Sequence, residues 1–209
     1  YEQYNHTTDE VKRKEIYREI DQVSGEASNY AIANEYDKMM QGIGAQGTNA
    51  FTSFEQTVYV NDIPSNQINT WLDIESERFR NPILRLFHTE LEAVYEEKNR
   101  TLDNDGRQVY EQLYATAFPN HNYGRQTTIG TIEHLKNPSL EKIRKYYNTY
   151  YVPNNMAVIM VGDMDLDATF SQVKAKFSYM KSQPVPKMTF KDEVALSKKT
   201  VISVYGPSA

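Results

Sequence analysis

Residues 49–61 read NAFTSFEQTVYVN, and this stretch decides the fold class because it places strands in a chain of helices. It is rich in the aromatic and β-branched residues that favour strands, and Val58 and Val60 alternate with Thr57, Tyr59 and Asn61. The sequence Ser53-Phe54 interrupts the run. We therefore predict two strands here, or one long strand with a bend at that point.

Helical patterns lie on both sides of this stretch. Upstream, a T-T-D-E capping pattern that starts at Thr7 predicts a helix over 8–23, ended by Ser24-Gly25, and a second helical piece follows over 26–40. The predicted downstream helices span residues 66–80, 84–104, 107–117, 131–136 and 139–151, and a last one follows Asp165 and ends near Tyr179.

Two further stretches predict strands near the end of the chain. Residues 156–161, MAVIMV, form a continuous apolar run that is typical of a buried central strand. Residues 181–198 are rich in proline and lysine and indicate a linker, after which TVISVY at 200–205 begins a new strand. The order of elements predicts an α+β fold with a mixed, largely antiparallel sheet and helices packed on one face.

Composition excludes several classes of protein. The 209 residues are 39% hydrophobic, which is enough for a packed core, and the formal net charge of −5 argues against a nucleic-acid-binding or polybasic membrane surface. The chain has no cysteine, so disulfides and thiolate metal sites are impossible. It also lacks an apolar run of about 18 residues, so we predict no transmembrane helix.

The acidic helix carries the strongest candidate for chemistry. Residues 89–100 read TELEAVYEEKNR, and Glu90 and Glu97 are seven positions apart, so they share one helix face with Ala93 and Val94 between them. If this face points inward, the two carboxylates need a cation, and a metal ion is the obvious candidate. The alternative is a solvated acidic face, which the stretch taken alone favours.

Four stretches together resemble one known family. They are GTNAFTSFEQTVY at 47–59, ELEAVYEEK at 90–98, HNYGRQTTIGT at 121–131 and YYVPNNMAVIMVGDMD at 150–165. In this order they resemble the pitrilysin/insulinase family of zinc metallopeptidases, the inverted zincins. The resemblance runs from about residue 33 to the end of the chain. It implies a partial insulinase-type peptidase domain over 1–180 with a helical insertion at about 8–40, a linker over 181–198, and the first strand of the following family segment over 199–209.

The resemblance also implies roles for four residues. Glu97 matches the family's glutamate ligand to zinc, and Glu90 matches the glutamate that positions the site without touching the metal. Asn49 and Ala50 match an edge strand to which a substrate peptide adds by main-chain hydrogen bonds. From the residues alone, an ordinary interior strand is the alternative for Asn49 and Ala50.

The sequence departs from the family at the zinc-binding helix. The family's H-x-x-E-H motif is absent, and the four histidines are His6, His88, His121 and His134. We therefore expect an internal fragment of a zinc metalloendopeptidase that is inactive by itself, with zinc bound in the full-length parent and absent from the fragment. The alternative is a non-catalytic scaffold or peptide-binding unit of the same fold.

The resemblance implies partners and a compartment as well. The expected partners are a peptide substrate and a second family unit that helps to enclose a chamber, with no nucleic acid. The expected location is the bacterial cell envelope or periplasm.

Overall fold

Alternating β-branched and aromatic residues form an antiparallel strand pair in the computed structural model, which describes residues 1–84 and 86–206. Strand β1 spans Gln46–Thr52 and strand β2 spans Thr57–Asp62, with Ala50 opposite Tyr59. A register shift lies between Gln46 and Asn49. The predicted strand pair and its interruption after Thr52 are confirmed.

The helices account for most of the remaining regular structure. Before the sheet lie α1 (Glu2–His6), α2 (Glu10–Ser28) and α3 (Glu35–Gly42). After it lie α4 (Ile68–Arg80), α5 (Phe87–Leu102), α6 (Asp105–Ala117), α7 (Asn122–Arg125), α8 (Ile132–Lys136), α9 (Leu140–Tyr150) and α10 (Leu166–Lys176). Short 3₁₀ turns occupy Ser65–Gln67 and Pro153–Asn155.

Side-chain caps explain where several helices begin. The carboxylate of Asp9 accepts from the Lys12 amide at 2.9 Å, so α2 starts after Asp9 rather than at the predicted Thr7 cap. The helix then continues through Gly25 to Ser28, because a glycine inside a helix weakens it by only about 0.5–1 kcal/mol. The predicted start of the last helix after Asp165 is confirmed, and Asp165 caps α10 by accepting from the amide of Ala168 at 2.9 Å.

The predicted buried central strand over 156–161 is wrong in this structure. The segment is not part of a sheet, and Ile159 and Val161 are 83% and 93% exposed. A central strand needs a hydrogen-bonded neighbour on each side. Within the described residues the sheet contains only β1 and β2, and the apolar run pairs with neither of them.

The end of the chain also lacks the predicted strand. Residues 200–206 carry no strand, and Val201 is 74% exposed, while residues 207–209 of the predicted last segment lie outside the described residues. Residues 181–198 contain no helix or strand.

Packing joins the helices to one another and to the strand pair. Met40 and Leu72 are fully buried, and α10 packs on α4, where the Ser76 hydroxyl donates to the carbonyl of Lys176 at 2.9 Å. Helices α1, α2 and α5 pack together, and α5 also contacts α6 and α8. The α+β class and the antiparallel pairing are confirmed, with a sheet smaller than predicted. Across the described residues, no helix combines the length and apolar character needed to cross a bilayer.

Candidate metal and peptide-binding site

The two glutamates of the acidic helix face solvent. Glu90 and Glu97 are both exposed on α5, whereas the buried residues of this helix are His88 and Lys98. The inward orientation considered for the two carboxylates is therefore wrong here, and the solvated face is what the structure has. The physical reason is that two carboxylates without a cation cost too much to bury. The roles that the resemblance implies for Glu90 and Glu97 stay predictions.

A lysine takes the interior position on this helix. Lys98 is 6% exposed, and its Nζ lies 3.5 Å from Oε1 of Glu111 on α6. The same oxygen accepts from Nε of Arg107 at 3.1 Å. This shared carboxylate ties α5 to α6, and sequence reasoning missed it because a lysine among glutamates suggests a solvated charge.

A buried histidine lies where α1, α2 and α5 meet. Nδ1 of His88 is 3.0 Å from the hydroxyl of Tyr1, and its Nε2 is 3.5 Å from Glu92 and 3.8 Å from Asp21. Tyr17 donates to Glu92 at 3.1 Å, and burial, followed by this hydrogen bond, raises the pKa of Tyr17 to about 12. The hydrogen bonds of Tyr1 and Tyr17 connect the residue before α1 and helix α2 to α5, whereas Nε2 of His88 has no hydrogen-bond partner among the described residues.

The described residues do not provide the ligands that a catalytic zinc ion needs. Catalytic zinc takes three protein ligands and keeps one position open. In the part of the chain that the structure covers, no three His, Asp or Glu side chains are placed to hold a metal ion. Glu97 is exposed and can offer one carboxylate, so these residues do not fit a complete zinc site.

Strand β1 has a free edge within the described residues. The sheet contains only β1 and β2, and Asn49 and Ala50 are both exposed. The amide of Ala50 donates to Oδ1 of Asn49 at 2.8 Å, so its hydrogen-bond partner is a side chain of its own strand. Within the described residues one edge of β1 is unpaired, as is one edge of β2. Binding of a peptide by β1 stays a prediction.

A polar cluster behind β2 was not predicted. Glu75 is 3% exposed, accepts from the hydroxyl of Tyr36 at 2.5 Å and pairs with Arg78 at 2.6 Å. The Arg78 guanidinium lies 4.2 Å from the centroid of the Tyr36 ring and 4.5 Å from that of Tyr59. Burial, with a smaller contribution from the bond to Glu75, raises the pKa of Tyr36 to about 12. The sequence placed Glu75 and Arg78 three positions apart on one predicted helix, but it did not show that Tyr36 and Tyr59, from other elements, complete the cluster.

Comparison with family models decides the family. The model described as insulinase (peptidase family M16) matches residues 20–131, more than half of the 209 residues. The model described as the peptidase M16 inactive domain matches residues 138–207. The chain belongs to the insulinase family, peptidase family M16. The resemblance found in the sequence is thereby confirmed.

Relatives of this insulinase-family chain are considerably longer. Zinc protease PqqE of Helicobacter pylori is 32% identical over 157 residues, which cover 72% of this chain and 34% of the relative. Insulin-degrading enzyme of Mus musculus is 29% identical over 165 residues, which cover 75% of this chain and 16% of that enzyme. The chain therefore spans about a third or less of these relatives.

Solved structures agree with the fold. The crystal structure of a protease from Helicobacter pylori superposes with a TM-score of 0.68 at 29% identity, covering 76% of this chain and 40% of that one. The first half of the periplasmic protease PqqL from Escherichia coli superposes with a TM-score of 0.67 at 20% identity. The superposition covers 77% of this chain and 36% of that one. The second likeness shows a shared fold alone.

Proposed function

We propose that this chain contributes the substrate-binding strand and one zinc ligand to a zinc metalloendopeptidase of the insulinase type. The observation that carries the proposal is the free edge of β1, where Asn49 and Ala50 are exposed. An extended peptide adds to such an edge through main-chain hydrogen bonds. The Ala50 amide now donates to Oδ1 of Asn49 at 2.8 Å. A carbonyl of the added peptide would replace this side chain as the acceptor.

The acidic helix supplies the metal side of the proposal. Glu97 would be a zinc ligand and Glu90 would position the site. Both side chains are exposed to solvent. Zinc held by a complete set of ligands supplies a water of lowered pKa that can attack a peptide carbonyl. The chain lacks H-x-x-E-H, and its described residues offer no three-ligand group, so the chain by itself would not hydrolyse peptides.

A second function in the same fold is a non-catalytic peptide-binding or scaffold unit. The match of residues 138–207 to the domain described as inactive favours it. In that case the edge of β1 would still bind peptide, whereas Glu97 would have no metal to bind.

Partners and location follow from the relatives. One relative is the beta subunit of mitochondrial-processing peptidase in Dictyostelium discoideum, 28% identical over 141 residues, and the PqqL structure is of a first half. These names support a second family unit as partner of this chain. The periplasmic description of PqqL supports, for this chain, the bacterial periplasm or cell envelope.

Peptide binding tests the strand proposal. Fluorescein-labelled insulin B chain, titrated with the protein and followed by fluorescence polarisation, should bind the wild-type chain. Ala50→Pro removes the amide donor, and an edge strand tolerates proline, so binding should weaken about tenfold or more while circular dichroism stays unchanged. The matched control Asn49→Ala frees the amide and should bind at least as well as wild type. Equal binding by Ala50→Pro would overturn the proposal.

Zinc content and peptide cleavage together test the proposed inactivity of the chain by itself. After dialysis without chelator, the chain should retain substoichiometric zinc by atomic absorption and leave insulin B chain uncut. Cleavage that survives this dialysis and disappears in Glu97→Gln would show a complete site within the chain and refute the proposed inactivity.

A further inference from the structure

Residues 190–193, within the predicted linker, are anchored to the loop before α7. Oε1 of Glu193 accepts from the amides of Asn120 and His121, each at 2.7 Å. Oε2 of Glu193 accepts from the side-chain amide of Asn120 at 3.2 Å, and the rings of Phe190 and His121 lie 4.3 Å apart. A carboxylate that accepts from two consecutive backbone amides fixes their orientation, because such bonds are charge-assisted.

The anchored loop continues to the tip of the strand pair. Nδ1 of His121 accepts from the amide of Tyr123 at 3.2 Å, and the two rings lie 4.2 Å apart. The hydroxyl of Tyr123 donates to Glu55 at 2.7 Å, and its ring centroid lies 4.9 Å from that of Phe54. Phe54 and Glu55 form the turn between β1 and β2. A continuous set of contacts therefore runs from Glu193 to the strand pair.

We infer that Glu193 is a positioning residue for the substrate-binding edge of β1, an inference that rests on the proposed function. Its carboxylate fixes the backbone at 120–121, which sets the place of Tyr123. Tyr123 in turn holds the turn at 54–55, and the turn sets how β1 presents Asn49 and Ala50. Residues 190–193 therefore affect peptide binding indirectly, through the loop at 120–123 and the turn at 54–55.

The chemistry of the anchor gives a discriminating set of variants. Glu193→Ala removes both acceptors. Glu193→Gln keeps Oε1, the single oxygen that both backbone amides use, so it should restore most of the effect. Asp192→Ala is the matched control, because the neighbouring residue contributes its backbone carbonyl to Asn120 at 3.3 Å and its side chain is exposed.

The test combines binding of labelled insulin B chain with amide chemical shifts of the 209-residue chain. Glu193→Ala should weaken binding about five- to tenfold and shift the amides of Asn49 and Ala50 as well as those of Asn120 and His121. Glu193→Gln and Asp192→Ala should stay within about twofold of wild type. Unchanged binding by Glu193→Ala, or unchanged Ala50 shifts in this variant, would overturn the inference.

The two readouts separate this inference from the proposed function. If wild type does not bind the probe, strand addition at β1 fails, and the Ala50 shift alone then decides whether Glu193 positions the strand. If wild type binds and Glu193→Ala binds equally well, the inference fails and the proposed function stands.

Discussion

At the scale of single residues, the availability of a cation decides which carboxylates are buried. Glu75 is buried, with Arg78 at 2.6 Å and the hydroxyl of Tyr36 at 2.5 Å, whereas Glu90 and Glu97 have no such partners among the described residues and are exposed. The arginine three positions after Glu75 was visible in the sequence. Tyr36 was not a predictable partner, because 39 residues separate it from Glu75.

Removal of the buried carboxylate tests this view. Glu75→Ala leaves Arg78 partly buried without its counter-charge, so the free energy of unfolding should fall by roughly 3 kcal/mol. The matched control is Glu77→Ala on the same helix, whose pair with Arg80 is exposed at 3.7 Å and should contribute less than about 0.5 kcal/mol. Urea unfolding of both variants measures the difference. Equal losses would mean that the Glu75 cluster is not a stabilising unit.

Ionisation of Tyr36 makes the free energy of unfolding depend on pH in the alkaline range. Its pKa is raised to about 12 in the folded chain, against about 10 for an unfolded tyrosine. A raised pKa means that this contribution is fully present below about pH 10 and is lost as pH rises from about 10 to about 12. Tyr36→Phe should therefore flatten the fall of unfolding free energy over that range. An identical pH profile for wild type and variant would contradict the assignment.

At the scale of elements, local signals were sufficient for helices and hairpins and insufficient for isolated strands. The strand pair at 46–62 carries its partner within a few residues, so its alternation could be interpreted from the sequence. The run at 156–161 is as apolar as a central strand, but a strand forms only where a neighbour accepts its backbone bonds. Hydrophobic periodicity indicates which secondary structure a segment can form, but it does not indicate which segment lies beside it.

Hydrogen exchange tests the correction at 156–161. Amides in this segment should exchange nearly as fast as in an unfolded chain, since no ladder partner lies within the described residues. Amides around the fully buried Leu72 in α4 should be strongly protected. Comparable protection of the two segments in a dilute, monomeric sample would show that the apolar run is paired after all.

The close approach of α7 to α6 depends on Gly124. A Cβ built there would lie 2.3 Å from the carbonyl oxygen of Phe118 and 2.5 Å from that of Tyr114, so Gly124→Ala should destabilise by about 1–3 kcal/mol. Gly25 in α2 has open space around it, and Gly25→Ala should stabilise by about 0.5–1 kcal/mol. Thermal unfolding of both variants measures the pair. A neutral Gly124→Ala would mean that α7 does not pack as closely as described.

At the scale of the whole molecule, the order of motifs predicted more than any single motif did. The stretches at 47–59, 90–98, 121–131 and 150–165 indicated the insulinase family together, and the family match confirms it. The order of motifs did not predict whether the implied site residues are exposed, because exposure depends on which other elements cover them. Contacts such as Glu193 with the backbone at 120–121 were also invisible, since they join segments about seventy residues apart.

The most direct test of the proposed function is amide protection at Ala50 on addition of unlabelled insulin B chain. Main-chain pairing of a peptide with β1 should slow exchange of the Ala50 amide at least about tenfold, with little change at the amide of the exposed residue Ile159. Protection elsewhere, with the Ala50 amide unaffected at saturating peptide, would contradict strand addition at this edge.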